Sequence, residues 1–297
     1  QYYSSMSALV TGASIALAPR FSASRWSEQA AVLEATVASL FAAPMRMILA
    51  QEPRSFDRVH RLRLGLFAQN VTEEQLAAFE ERFSVPMAQL YGMTETVAPP
   101  TVNPVYGERR GHSIGRPISS VRVRVVDADG NDVRAGEVGE LLVEGEPGRT
   151  VMLGYLDNDE ATSAALRDGW LHTGDSVQCD DEGYLYFVDR RKDMIKRAGE
   201  NVATGEVERV INDHPSVFES AAYGVPDSMR DEAIHVAVVL HKGTELSAGE
   251  LLAHCKERLA KFKVPDEVHF VESLPRTSVG KIQKHLLRQG AAADASH

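Results

Sequence analysis

The spacing of apolar positions changes along this chain, and each change predicts a different kind of element. Residues 27–34 have a helical pattern, and residues 35–41 read as a strand. Pro44 opens a second helix over residues 44–49, since a first-turn N–H has no intrahelical partner to lose. Leu62, Leu64 and Leu66 alternate as in a strand. Thr72-Glu73-Glu74-Gln75 has capping-box form, and Leu76, Phe79 and Phe83 follow at helical spacing. A short apolar run through Met87 and Leu90 ends another strand. This rhythm of strand, helix and strand predicts a mostly parallel sheet.

The rhythm changes after Gly115. Val121, Val123 and Val125 alternate with Arg122 and Arg124, which fits a half-solvated strand better than a phosphate-binding row. Asp129-Gly130 and Asp181-Glu182-Gly183 are turns, and residues 140–144 and 184–188 read as strands, so a small β-barrel or sheet is expected. From Lys192 to about Arg288 the pattern predicts a compact α+β domain. Residues 205–213 form a helix with Val207, Val210 and Ile211 on one face, and residues 233–240 a nearly continuous apolar strand. Ser247-x-x-Glu250 caps a helix carrying Leu251, Leu252, Cys255 and Leu259. The small-residue end is expected to be disordered.

Composition narrows the function. A chain of 297 residues can bury one large core or two smaller ones. Its net charge of −10 speaks against nonspecific nucleic-acid binding and against a polybasic membrane surface, but leaves room for a local phosphate site. No apolar run reaches membrane-spanning length, and no charged-then-apolar segment opens the chain, so a cytoplasmic location is expected. Cys179 and Cys255 form no CxxC and read as reduced structural thiols. The ten histidines show no HExxH and no paired ligand spacing, so no structural zinc site is expected. The absence of GxGxxG argues against a dinucleotide-dependent oxidoreductase. No lysine precedes Lys192, which places a domain boundary just after Arg190, unless an arginine-rich genome explains the bias.

Tyr91-Gly92-Met93-Thr94-Glu95-Thr96 concentrates the chemistry. Tyr91 offers a flat face for a base, Gly92 lets backbone approach, Thr94 offers a hydroxyl to phosphate, and Glu95 offers a hard oxygen to Mg²⁺. An ordinary strand-to-loop transition could carry the same residues. After it come Gly139-Glu140-Leu141 to Tyr155, His172-Thr173-Gly174-Asp175, residues 189–196, Gly199-Glu200-Asn201 and Pro275-Arg276-Thr277-Ser278-Val279-Gly280-Lys281.

In this order, the set resembles the adenylate-forming superfamily of acyl-CoA synthetases, peptide-synthetase adenylation domains and luciferases. Phe21-Ser22-Ala23-Ser24, Ala68-Gln69-Asn70, Val188-Asp189-Arg190-Arg191 and residues 260–265 are most similar to its crotonobetaine/carnitine–CoA ligase branch. The resemblance implies that roughly the first half of a full synthetase, with its Gly/Ser/Thr-rich phosphate loop, is absent. It implies an α/β fold: the remnant of a large α/β domain to about residue 105, and a β-barrel-like part over about 106–190. A mobile α+β domain over 191–288 would follow on a hinge, then a tail over 289–297.

The implied roles follow residue by residue. Lys281 reaches the substrate carboxylate and the α-phosphate, Thr94 holds the α-phosphate, and Glu95 ligates Mg²⁺. Tyr91 packs on adenine next to Gly92, and Gln69 and Asn70 line the other side. Asp175 and Arg190 hold the ribose. Lys192 is the pivot, and the loop of Gly199, Glu200 and Asn201 enters for CoA. Lys261 and Lys263 could meet CoA phosphates, although a solvated lysine pair is the simpler reading. His172 is read as a structural neighbour of Asp175.

The expected activity is that of an acid–CoA ligase using ATP (released as AMP), Mg²⁺ and CoA. It forms an acyl-adenylate and then a thioester, on a carnitine- or crotonobetaine-like acid or on a short- to medium-chain one. The alternatives are a carrier-protein-loading adenylation domain and a catalytically incomplete nucleotide- or partner-binding fragment. Partners are then the small-molecule acid, ATP and CoA, with no nucleic acid.

Overall fold

The computed structural model describes residues 2–190, 193–197, 200–227, 229–277 and 281–294, with side chains from Ser5 to Ala291. The chain divides into two compact units, Gln1–Phe187 and Val188–His297.

The first unit runs α1 (Tyr2–Thr11), α2 (Trp26–Val32), β1 (Val37–Phe41), α3 (Ala42–Leu49), β2 (Leu64–Ala68), α4 (Glu73–Phe83) and β3 (Met87–Tyr91). It continues through β4 (Thr101–Val102), β5 (Ser113–Pro117), β6 (Val123–Val126), β7 (Val138–Glu144), α5 (Asp159–Ala165), β8 (Leu166–Arg167) and β9 (Trp170–Cys179). Strand β10 (Leu185–Arg190) carries the chain out of the unit.

Strands β1, β2 and β3 are parallel, as the helix–strand rhythm predicts, with Leu64 opposite Val37 and Phe67 opposite Gln89. Thr72 caps α4: its hydroxyl accepts from the Gln75 N–H, and the Gln75 side chain accepts from the Thr72 N–H, both at 3.2 Å. The helix thus presents Phe79 and Phe83, both fully buried, edge-on to Trp26 at 5.4 and 5.0 Å. A buried ion pair closes this layer. Asp57 accepts from Ser27 Oγ at 2.7 Å, from the Arg54 N–H at 2.9 Å and from Arg82 Nε at 2.8 Å. Arg82 also donates to the carbonyls of Ile48, Leu49, Gln51 and Glu52, so one guanidinium satisfies the chain end left open by α3.

The expected barrel does not form. The later strands extend one open path, β1-β2-β3-β4-β5-β10-β9-β7-β6, with β8 against β9. The antiparallel pairs continue edge to edge from the parallel ones, and β1 and β6 lie at opposite ends. Gly115 enables one of these junctions. Its φ is +86°, and a Cβ there would sit 1.9 Å from the Val102 carbonyl carbon.

The second unit contains β11 (Ile195–Arg197), β12 (Glu200–Val202), α6 (Thr204–Asn212), β13 (Val217–Asp227), β14 (Asp231–Leu240), α7 (Ala248–Arg258), β15 (Glu267–Phe270) and α8 (Lys284–Asp294). The sheet order is β12-β11-β14-β13, with β15 parallel to β14. One face packs Val207, Ile211, Leu251 and Cys255 against Ile195, Ile234 and Val236. The other packs Tyr223, Ala237 and Leu274 with Leu287 and Ala291 of α8. That helix runs through residues 289–294, which the sequence marks as tail. Alanine is the strongest helix former, so a run of small residues attached to a packed helix prolongs it.

Candidate functional site

The carboxyl ends of β2 and β3 lie side by side because the two strands are parallel and in register. In sheets of this kind, ligands meet the loops that leave those ends. Gln69 turns the chain after β2 with φ +72°, and the Gln89 side chain on β3 fixes that turn. Gln89 Nε2 donates to the Gln69 carbonyl at 3.2 Å and to Asn70 Oδ1 at 3.1 Å. Gln89 was not legible as a site residue, since nothing local ties it to a turn twenty residues upstream.

Tyr91 ends β3, and Thr94, Glu95 and Thr96 form a short 3₁₀ turn after it. The Thr96 hydroxyl donates to the Met93 carbonyl at 2.9 Å, and the Met93 N–H donates to the Thr96 hydroxyl at 3.2 Å. Val97 then adopts φ +55°, ψ −57°, and the Ala98 N–H donates to the Thr96 carbonyl, a strained three-residue turn for a β-branched side chain. Thr94 is left exposed. Glu95 Oε1 accepts from the Tyr155 hydroxyl at 2.9 Å, and the Glu95 carbonyl accepts from the Met152 N–H at 2.7 Å. Burial first, and then the Glu95 carboxylate, push the Tyr155 phenol above its ordinary pKa, so it remains a donor at neutral pH.

The Thr173-Gly174-Asp175 stretch is a bulge. Ser176 lies opposite Glu140 and His172 opposite Leu142, so β9 uses four steps where β7 uses two. Extra residues of this kind re-aim a side chain. Gly174, at φ +69°, turns the backbone, and its N–H donates to Glu140 Oε1 at 3.1 Å. The Thr173 hydroxyl donates to the Leu141 carbonyl at 2.7 Å and accepts from the Asp175 N–H at 3.1 Å. Asp175 is directed at Tyr91, whose hydroxyl donates to Asp175 Oδ2 at 2.6 Å; the two residues are 3% and 8% exposed. His172 packs on the other side of the bulge, with Nδ1 3.4 Å from Glu140 and 2.9 Å from Arg167.

The second unit carries the remaining candidates. Arg190 ends β10; its N–H donates to Asp189 Oδ1 at 2.7 Å, and its carbonyl accepts from the N–H groups of Asp193 and Met194. Asp189 Oδ2 takes both the N–H and the hydroxyl of Thr204 at the start of α6. Lys284 Nζ reaches the same Thr204 hydroxyl and pairs with Glu208 at 2.7 Å. Burial pushes Glu208 above the usual carboxylate range. Burial would lower Lys284, but the carboxylates of Glu208 and Asp189 outweigh it and hold the ammonium above its ordinary value.

Glu200 and Asn201 are exposed on β12, while the hinge residue Lys192 and Gly199 lie outside the described residues. Lys281 is exposed, and it is tied to Thr277 by the Thr277 N–H to the Lys281 carbonyl at 2.8 Å and by the Lys281 N–H to Thr277 Oγ1 at 3.1 Å. Lys263 pairs with both oxygens of Glu206, at 2.7 and 2.8 Å. Finally, Gly111-His112-Ser113-Ile114-Gly115 has the spacing of a nucleophile elbow but not its geometry. Ser113 lies within antiparallel β5, fully buried, donating to the Leu185 carbonyl at 2.8 Å.

The family described as AMP-binding enzyme matches residues 1–156, and the AMP-binding enzyme C-terminal domain matches residues 206–281. A crotonobetaine/carnitine–CoA ligase of Proteus mirabilis is 43% identical over 288 residues, 96% of this chain and 56% of that protein. ATP-bound MatB from Rhodopseudomonas palustris matches with a TM-score of 0.87 at 30% identity, over 97% of this chain and 56% of that one. The o-succinylbenzoate CoA synthetase of Bacillus subtilis, complexed with the acyl-adenylate intermediate OSB-AMP, gives 0.81 at 31% identity, over 95% and 57%. The chain thus spans a little over half the length of the relatives it matches. With the AMP-binding enzyme family matching residues 1–156, just over half of its length, and the C-terminal domain of that enzyme following at residues 206–281, the chain belongs to the AMP-binding enzyme family.

Proposed function

We propose that the protein acts as an ATP-dependent acid–CoA ligase, activating a carboxylic acid as its acyl-adenylate and passing the acyl group to CoA. The observation that carries this reading is the buried Tyr91–Asp175 pair, set by a bulge and joined to the turn that presents Thr94 and Glu95. A carboxylate held in one orientation is a paired acceptor for the vicinal hydroxyls of ribose. Arg190 would add to that contact. The Thr94 hydroxyl would donate to an α-phosphate oxygen, and the Gln69–Asn70 turn, held by Gln89, would border adenine. Lys281 would bring positive charge to the carboxylate and the α-phosphate, where two anions must meet.

Mg²⁺ fits the Glu95 position. This cation keeps several waters and phosphate oxygens and needs only one or two protein carboxylates, and Glu95 supplies one that Tyr155 orients. Bound there, it would neutralise phosphate charge. We assign Lys192 as the pivot between the half-reactions, and the loop of Gly199, Glu200 and Asn201 as the approach for CoA. The name of the P. mirabilis relative makes a betaine-type acid the first substrate class to try, followed by short- and medium-chain fatty acids.

The test is acid-dependent pyrophosphate release with each candidate acid, alone and with CoA, alongside AMP binding by calorimetry. Release that needs the acid, followed by thioester and AMP once CoA is added, is expected. Asp175→Ala should weaken AMP at least about tenfold, the loss of one charge-assisted hydrogen-bond pair. No acid-dependent release from any acid, with AMP bound equally by the variant, would overturn the reading.

A further inference from the structure

On the sheet of the second unit, a histidine meets a glutamate and a second histidine from a distant stretch of the chain. His235 lies on β14, and Glu267 and His269 lie on β15. The parallel register sets Glu267 against His235, and the two-residue period of a strand puts His269 on the same face. His235 Nδ1 lies 3.1 Å from His269 Nε2 and 3.8 Å from Glu267 Oε2, and His269 Nε2 lies 3.5 Å from that oxygen. Zinc–nitrogen bonds of about 2.0–2.1 Å at tetrahedral angles put ligand atoms roughly 3.3–3.4 Å apart, and the three separations bracket that value.

The setting supports ligation. The imidazoles stack at 5.3 Å, and Tyr223 lies 6.0 Å behind His235. The side chains of Glu267 and His269 are 60% and 40% exposed, so an ion can enter from solvent. A hydrogen bond between the two imidazoles alone would not require both rings to crowd one carboxylate oxygen.

We infer that His235, Glu267 and His269 form a binding site for a zinc-class divalent cation, with the fourth position open to water. The ion would clip the four-residue strand β15 to β14. No such site is legible in the sequence, because Glu267 lies thirty-two positions after His235.

The experiment titrates the metal-free chain with Zn²⁺ against a chromophoric chelator and follows the thermal midpoint in parallel. One equivalent should bind and raise the midpoint of the wild-type protein. Glu267→Gln and His269→Ala should each lose at least about tenfold in affinity, together with the thermal shift. His285→Ala, at an exposed histidine of α8, should behave as wild type. Failure of the wild type to bind would overturn the inference. Equal affinity and stoichiometry in the wild type and in Glu267→Gln, a surface change that leaves the core untouched, would also overturn it, because zinc would then sit on other histidines.

Discussion

The Tyr91 hydroxyl donates to the Asp175 carboxylate, and Asp175 is the residue on which nucleotide recognition is proposed to rest. Tyr91→Phe keeps the ring and its packing but leaves a buried carboxylate one donor short, which costs about 1–3 kcal/mol. We expect a lower denaturation midpoint for the first unit and weaker AMP binding, both measurable on the same sample; unchanged AMP affinity would remove Tyr91 from the site. Val97 offers the opposite case. Its positive φ stores about 1–3 kcal/mol, and the residue is 52% exposed, so little burial is lost on removing its side chain. Val97→Gly should therefore raise stability by roughly 1 kcal/mol in urea unfolding, after allowing for the extra freedom of glycine in the unfolded chain.

Between elements, a few charged side chains do the joining. Burial alone would raise the pKa of Asp57, but the Arg54 N–H, the Ser27 hydroxyl and the Arg82 guanidinium outweigh it and hold the carboxyl below its ordinary 3.8. A lowered carboxylate stabilises the fold above the unfolded pKa, and that contribution fades as pH falls through the folded value. The stability difference between wild type and Asp57→Asn should thus be full at neutral pH and shrink below about pH 4. A difference independent of pH would show that the ion pair is not its source. Lys284→Met strands Glu208 and Asp189 without their cation, at a cost of about 3–5 kcal/mol in the second unit. Arg82→Ala should do comparable harm in the first unit, since the same guanidinium pairs with Asp57 and closes the end of α3.

Each unit has its own buried clusters, so the molecule should not unfold as one cooperative block. Calorimetry should resolve two transitions, with Arg82→Ala lowering one and Lys284→Met the other. One transition shifted by both substitutions would contradict this. For catalysis, Lys281→Ala should reduce acyl-adenylate formation by about a hundredfold or more while sparing thioester formation from supplied acyl-adenylate. Equal loss in both half-reactions would refute the role assigned to its ammonium.

The amino-acid sequence by itself determined what acts over a few residues. The Thr72 and Ser247 capping boxes, the helical spacing of Phe79 and Phe83, the apolar run of β14 and the order of the motifs were all legible, because each depends on neighbours in the chain. Tertiary structure alone decided what depends on distant strands. It left the long sheet open where a barrel was expected, because the antiparallel strands found their partners at the edge of the parallel ones. It also brought Tyr91 to Asp175, Lys284 to Glu208, and His235 to His269. No local pattern encodes these meetings, since they require sheet register and shared burial to place side chains from separate stretches of chain within a bond's reach.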